Sequence, residues 1–171
     1  MGFSDLILVS PSDERVLGRK KCIDGASGAI DILKEAKVFD NLEDAFDGTD
    51  DDVIICGTGM PVSMHNERLP QMYVAPRTFF QELLSSDQQL KNGNGNGNGS
   101  SSPLEAKEKN IKIAFLFGNE RVGMKPEDME RCNVMLGIPT NPNFGSLNLA
   151  SAVQIIAYDW REAIGGYERN N

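Results

Sequence analysis

Residues 133–164 read NVMLGIPTNPNFGSLNLASAVQIIAYDWREAI, and this stretch holds a strand, a loop and a helix in that order. Asn133 to Ile138 is a short apolar run closed by Pro139, which has no N–H to give to a sheet ladder, so it reads as a buried strand that stops there. From Ser146 to about Ile164 the pattern changes. Leu149, Val153, Ile156, Trp160 and Ala163 recur at intervals of three and four residues, the spacing of one face of a long amphipathic helix. Ser146 suits its N-cap and Gly165-Gly166 its stop.

The same alternation continues towards the N-terminus. Pro126 to Arg131 reads as a short helix with proline in the first turn, where its missing donor costs nothing. Ile111 to Phe117 is a strand ending at Gly118, and Arg77 to Leu84 is a helix following Pro76. Val53 to Cys56 is a buried strand running into the small residues Gly57-Thr58-Gly59. Asn41 is placed to cap a helix over Leu42 to Phe46, with Glu43 and Asp44 well sited for its dipole. A helix over Ala26 to Lys37, extended backbone at Val38-Phe39 and a strand within Asp5 to Ser10 complete the series. Strands alternating with helices at this spacing predict an α/β fold, a mainly parallel sheet flanked by helices. Ligands of such sheets bind beyond the carboxyl ends of the strands.

The length of 171 residues suits a single domain spanning 1–171. Lys91 to Pro103, KNGNGNGNGSSSP, is set apart as a disordered Gly/Asn/Ser loop, because it has nothing to bury. Its glycines merely alternate with asparagines and make no dinucleotide fingerprint. The net charge of −8 is concentrated between Asp40 and Asp52, where seven carboxylates occur without a cation, the pattern of a solvated face. That balance argues against non-specific nucleic-acid binding, and Arg15, Arg19, Lys20 and Lys21 form the one obvious basic cluster. Apolar runs such as Leu6 to Val9 are far shorter than the ~18 residues of a membrane span. The three cysteines, Cys22, Cys56 and Cys132, lack a Cys-x-x-Cys spacing and read as core residues. With His65 the single histidine, no multi-His metal cluster is expected, and His65 remains only a candidate lone base. No secretory signal is legible, so the expected setting is intracellular, cytoplasmic or organellar.

Three segments that follow strands carry the residues a ligand site uses: CGTGMP at 56–61, FGNERVGM at 117–124 and IPTNPNFGSLN at 138–148. Small residues let backbone approach a ligand, and loop amides and carbonyls can recognise a base edge without charge. Each segment alone has an ordinary alternative: a tight turn, a surface loop bearing Glu120, and helix capping by Asn148.

Together, FLFGNERVG at 115–123 and LGIPTNPNFGSLNLASAVQIIAYDWREA at 136–163 resemble the second and third motifs of the SpoU-type RNA ribose 2'-O-methyltransferases of the SPOUT superfamily. GFSDLILVSP at 2–11 and VAPRTFFQELL at 74–84 extend the resemblance over essentially the whole chain. It implies a C-terminal trefoil knot, a homodimer, S-adenosyl-L-methionine as cofactor and tRNA or rRNA as partner, with neither metal nor membrane. Residue by residue, it implies Thr58, Gly59, Met60, Gly118, Ile138, Gly145, Ser146 and Leu147 as cofactor-binding, and Glu120, Ser146 and Asn148 as catalytic.

The resemblance also carries departures. The family's first motif, an Asn-x-Gly-x-x-Ala-Arg pattern whose arginine sits at the catalytic centre, would lie immediately before Gly2, so a first strand and helix are expected to be missing. Asn119, Met124 and Gly145 stand where relatives often carry Arg, Leu and Ser. Arg121 lies near the site in sequence and receives no role. A second reading follows, in which the chain is a non-catalytic cofactor- or RNA-binding subunit of the same family.

Overall fold

The computed structural model describes residues 2–47, 53–59, 73–92, 112–141, 143 and 145–166. The chain divides into two compact units, Met1–Asp51 and Asp52–Asn171.

In the first unit, strand β1 (Ile7–Val9) pairs in parallel with β2 (Lys37–Phe39), Leu8 opposite Val38. Parallel partners need a crossover. Helices α1 (Lys20–Ala26) and α2 (Ile30–Glu35) supply it, separated by one 3-10 turn at Ser27–Ala29. The helix expected from Ala26 thus begins six residues earlier and is broken at Ser27, whose φ of 50° is left-handed. Asn41 caps α3 (Leu42–Phe46) as its sequence position predicts: its Oδ1 accepts from the Asp44 N–H at 2.8 Å.

In the second unit, β3 (Val53–Gly59), β4 (Tyr73–Val74), β5 (Lys112–Leu116) and β6 (Val134–Gly137) form a wholly parallel sheet in the order β4-β6-β3-β5. A strand of two residues has no readable periodicity, and β4 was not expected. Conversely, Gly57-Thr58-Gly59, expected as a turn after β3, remains in the ladder, with Gly57 opposite both Leu116 and Met135. A Cβ at Gly57 would lie 2.5 Å from Met135 Sδ and 2.7 Å from Cys132 Sγ, so only glycine lets these sulfurs pack onto the sheet. Asn133 precedes β6 and pairs with β3: its N–H donates to the Ile55 carbonyl at 2.8 Å, and its Oδ1 accepts from the Ile55 N–H at 2.7 Å.

Successive strand residues point to opposite faces, and the core divides accordingly. Ile54, Cys56, Ile113, Phe115, Val134 and Leu136 belong to a cluster with Phe80 of α4 (Pro76–Asn92) and Ile156 and Trp160 of α6 (Leu149–Ala163). Ile55, Leu116 and Met135 belong to a second cluster with Met129 of α5 (Pro126–Glu130), Cys132 and Met124. The sheet is therefore flanked by helices on both faces, as predicted. Phe80 meets Trp160 edge-on with ring centroids 5.2 Å apart, and Phe115 meets the same indole at 6.3 Å. Between α4 and α6, Arg77 Nη2 and Nε donate to Oδ1 of the buried Asp159 at 2.7 and 3.2 Å. That pairing holds the Arg77 guanidinium above its ordinary pKa.

Two predicted boundaries move. Of the loop expected over 91–103, Lys91 and Asn92 instead belong to α4, and the remainder, 93–103, lies outside the described residues, as does His65. The cap of α6 is Asn148, not Ser146, and its Oδ1 accepts from the Ala150 N–H at 2.9 Å. Asn caps as well as Ser, and Asn148 stands directly against the first helical residue. Gly165 and Gly166, at φ 97° and 69°, end α6 as expected, and Gly166 N–H donates to the Arg161 carbonyl at 2.8 Å. No helix among the described residues is long and apolar enough to cross a membrane.

Candidate functional site

Because the strands are parallel and β3 lies between β6 and β5, the carboxyl ends of these three neighbours open on one side of the second unit. There they surround a cavity of about 440 Å³, within the ~300–1,000 Å³ range of small-molecule sites. Thr58 and Gly59 come from the end of β3, Gly118 from just beyond β5, and Ile138, Gly145, Ser146 and Leu147 from the segment joining β6 to α6. Seven of the eight residues singled out as cofactor-binding thus line one cavity. The eighth, Met60, lies outside the described residues.

Backbone geometry builds much of the wall. Thr58 Oγ1 donates to the Leu116 carbonyl at 3.1 Å, tying the end of β3 to that of β5. Beyond β5 the chain folds into a tight clip: Asn119 N–H donates to the Gly123 carbonyl at 2.9 Å, and Gly123 N–H returns to the Asn119 carbonyl at 2.7 Å. Gly123 adopts φ 76°, which suits glycine. At Gly118 any Cβ would lie 2.4 Å from the Gly123 carbonyl carbon and the Met124 nitrogen, so the clip closes only because the side chain is absent. In the third segment, Thr140 Oγ1 donates to the Gly145 carbonyl at 3.0 Å.

Glu120 stands on the clip and lines the cavity, as does Ser146. Asn148 does not line it. It stands one bond behind, with Nδ2 donating to Glu120 Oε1 at 3.3 Å. The rest of the wall has no individual role in the sequence reading: Asn119, Arg121, Val122, Gly123 and Met124 of the clip, which fall within the segment 117–124 singled out as a whole, then Met129, Leu136, Leu149 and Ala152. Leu149 and Ala152 share a helical face, a pattern that also describes simple core packing. Among the described residues that line the cavity, Glu120 is the one anion and Arg121 the one cation.

This chemistry suits a ligand with an apolar body and hydrogen-bonding edges. Among the described residues, no three His, Cys, Asp or Glu side chains gather as a metal site would require. Burial pushes the thiol of Cys56 up to about 12 and that of Cys132 up to about 11, which keeps both protonated and poor as nucleophiles.

Comparison with known proteins gives four likenesses. The family model described as "SpoU rRNA Methylase family" matches residues 1–158. The tRNA (cytidine/uridine/adenosine-2'-O-)-methyltransferase TrmJ of Pseudomonas aeruginosa is 34% identical over 163 residues, 95% of this chain and 52% of that protein. Among solved structures, a probable methyltransferase from Bordetella pertussis superposes with a TM-score of 0.67 at 27% identity, over 95% of this chain and 81% of that one. TrmJ from Z. mobilis gives 0.66 at 26% identity, over 93% and 57%. The chain spans about half the length of the curated relatives it matches.

Proposed function

Since the chain belongs to the SpoU rRNA methylase family, we propose that it is an S-adenosylmethionine-dependent RNA 2'-O-methyltransferase working at the carboxyl edge of the β6-β3-β5 sheet. The observation that carries this reading is the convergence of Thr58, Gly59, Gly118, Ile138, Gly145, Ser146 and Leu147 on one cavity. The name of the Pseudomonas relative favours tRNA over rRNA as substrate. The reading includes one methyltransferase domain over 1–171, a C-terminal trefoil knot, a homodimer and an intracellular setting.

The cavity fits the cofactor on chemical grounds. A sulfonium with an adenosine body needs apolar walls and backbone partners more than counter-charges, and Met124, Met129, Leu136, Ile138, Leu149 and Ala152 offer the walls. Gly59, Gly118 and Gly145 let main chain approach closely. When bound, the cofactor supplies an electrophilic methyl group.

This chain's side chains then have distinct tasks. Glu120 is the acceptor for the hydrogen of the attacking 2'-hydroxyl, and Ser146 is the hydroxyl partner on the opposite segment of the rim. Asn148 helps to position the Glu120 carboxylate through its Nδ2 hydrogen bond to Oε1.

Titration calorimetry with S-adenosylmethionine tests the binding half of the reading, and transfer of a radioactive methyl group to tRNA and to rRNA tests the chemistry. Saturable binding that Gly118→Trp abolishes, with label at ribose 2'-oxygens, is the expected result. A folded chain that binds no cofactor overturns the reading.

A further inference from the structure

We propose that Arg121 is the RNA-backbone anchor of this site, its guanidinium pairing with a phosphate beside the ribose presented to Glu120. The inference rests on the methyltransferase reading and adds the group that seats the substrate.

The clip fixes where Arg121 stands. Two main-chain hydrogen bonds between Asn119 and Gly123 close it. Within it, the Arg121 N–H donates to Asn119 Oδ1 at 2.9 Å, an Asx-type turn that fixes the Arg121 main chain. Arg121 is thereby carried on the cavity rim next to Glu120.

Charge then decides what the guanidinium meets. Among the described residues that line the cavity Arg121 is the one cation, and among the described residues no carboxylate is paired with it. Glu120, the neighbouring anion, is already engaged by Asn148. RNA offers one phosphate per nucleotide, and arginine's planar fork matches phosphate oxygens in a bidentate way. The net charge of −8 repels RNA at long range, so attraction has to come from local cations, and this one stands at the reacting end. Val122, 82% exposed at the tip of the clip, gives an apolar surface beside it for a sugar or base face.

The cofactor also carries an anion, its carboxylate, and the experiment separates the two. Binding of tRNA is measured for the whole chain over a range of salt, with S-adenosylmethionine titrated in parallel. Arg121→Gln is expected to weaken tRNA binding on the order of tenfold at low salt and to lower the slope of log affinity against log salt by about 0.7–0.9, the signature of one lost phosphate contact. Arg121→Lys keeps the slope, and cofactor affinity is unchanged in both variants. An Arg121→Gln protein with wild-type slope and affinity overturns the proposal, as does a wild-type chain that binds no tRNA. Loss of cofactor affinity with an unchanged RNA slope also overturns it and assigns Arg121 to the cofactor carboxylate. A wild-type chain that fails to bind the cofactor counts against the methyltransferase reading instead, whichever way the RNA slopes fall.

Discussion

Asn148 is bonded in two directions: its Oδ1 accepts from the Ala150 N–H at 2.9 Å, and its Nδ2 donates to Glu120 Oε1 at 3.3 Å. The cap orients the amide, and the oriented amide offers its Nδ2 hydrogen to the Glu120 carboxylate. Helix stability and carboxylate position can therefore be separated by substitution. Asn148→Asp keeps the cap, so urea unfolding should stay within about 0.5 kcal/mol of wild type, yet it sets two carboxylates against each other and should abolish methyl transfer. Asn148→Ala should cost about 1 kcal/mol of stability as the cap is lost. Equal activity in Asn148→Asp and wild type would remove the pair from the mechanism.

Gly118 and Gly123 face opposite constraints within one clip. Gly118 has no room for a Cβ, whereas Gly123 has open space around it but a φ of 76°. Gly118→Ala must force the clip apart, with an expected loss of about 1–3 kcal/mol and of measurable cofactor binding. Gly123→Ala carries only backbone strain of about 1 kcal/mol and should still bind, as read by calorimetry. The reverse order would show that the clip does not form the cavity wall.

Asp159 is a buried carboxylate whose guanidinium partner, Arg77, is largely exposed. Removing Arg77 leaves the Asp159 carboxylate without its partner between α4 and α6, and Arg77→Met should lower the urea midpoint, by less than the loss of a fully buried pair would because water screens this one. Adding Asp159→Leu to Arg77→Met should recover most of that loss, because the stranded charge is gone. Urea midpoints of the two single variants and the double variant check this directly.

Burial raises Cys56 to about 12 and Cys132 to about 11 from an ordinary 9.0. Above pH 9 the unfolded chain releases these thiol protons while the folded chain keeps them. The native state then binds more protons, and stability falls as pH rises from 9 towards 11. The unfolding midpoint should show this alkaline decline, and a Cys56→Ala, Cys132→Ala double variant should show a shallower one. The native Cys56 and Cys132 thiols should also resist alkylation at pH 8. Rapid labelling of either cysteine would contradict its burial.

Periodicity was the most legible signal. The face of α6, the apolar runs of β3, β5 and β6, and the Asn41 cap can all be read from residue spacing. What could not be read depended on the third dimension. Gly57 looks like a turn residue until the sulfurs of Met135 and Cys132 are seen filling the space of its side chain. Lys20 to Ala26 forms α1 with only Cys22, Ile23 and Ala26 as apolar members and a glycine inside, too weak a stripe to detect. At the site, Gly118, Gly145 and Ser146 stood out because loop residues of that kind are informative. Met129, Leu136 and Ala152 did not, since an apolar residue facing a cavity and one facing the core leave the same trace. Ser146 and Asn148 were both plausible caps, and only geometry separates the residue on the rim from the one that starts the helix.

Trp160 is the one tryptophan of the chain, 8% exposed, with the edges of Phe80 and Phe115 against it. It therefore sits where three elements meet: α6, which Asn148 caps; β5, which runs towards Gly118; and α4. The protein carries an optical gauge of its own assembly at that junction. Emission should be blue-shifted while α6 is seated, and a red shift that precedes loss of helical circular dichroism would report the last helix lifting from the sheet before the rest of the second unit melts. Followed during cofactor titration, the same signal would tell whether filling the cavity tightens the helix that forms part of its wall.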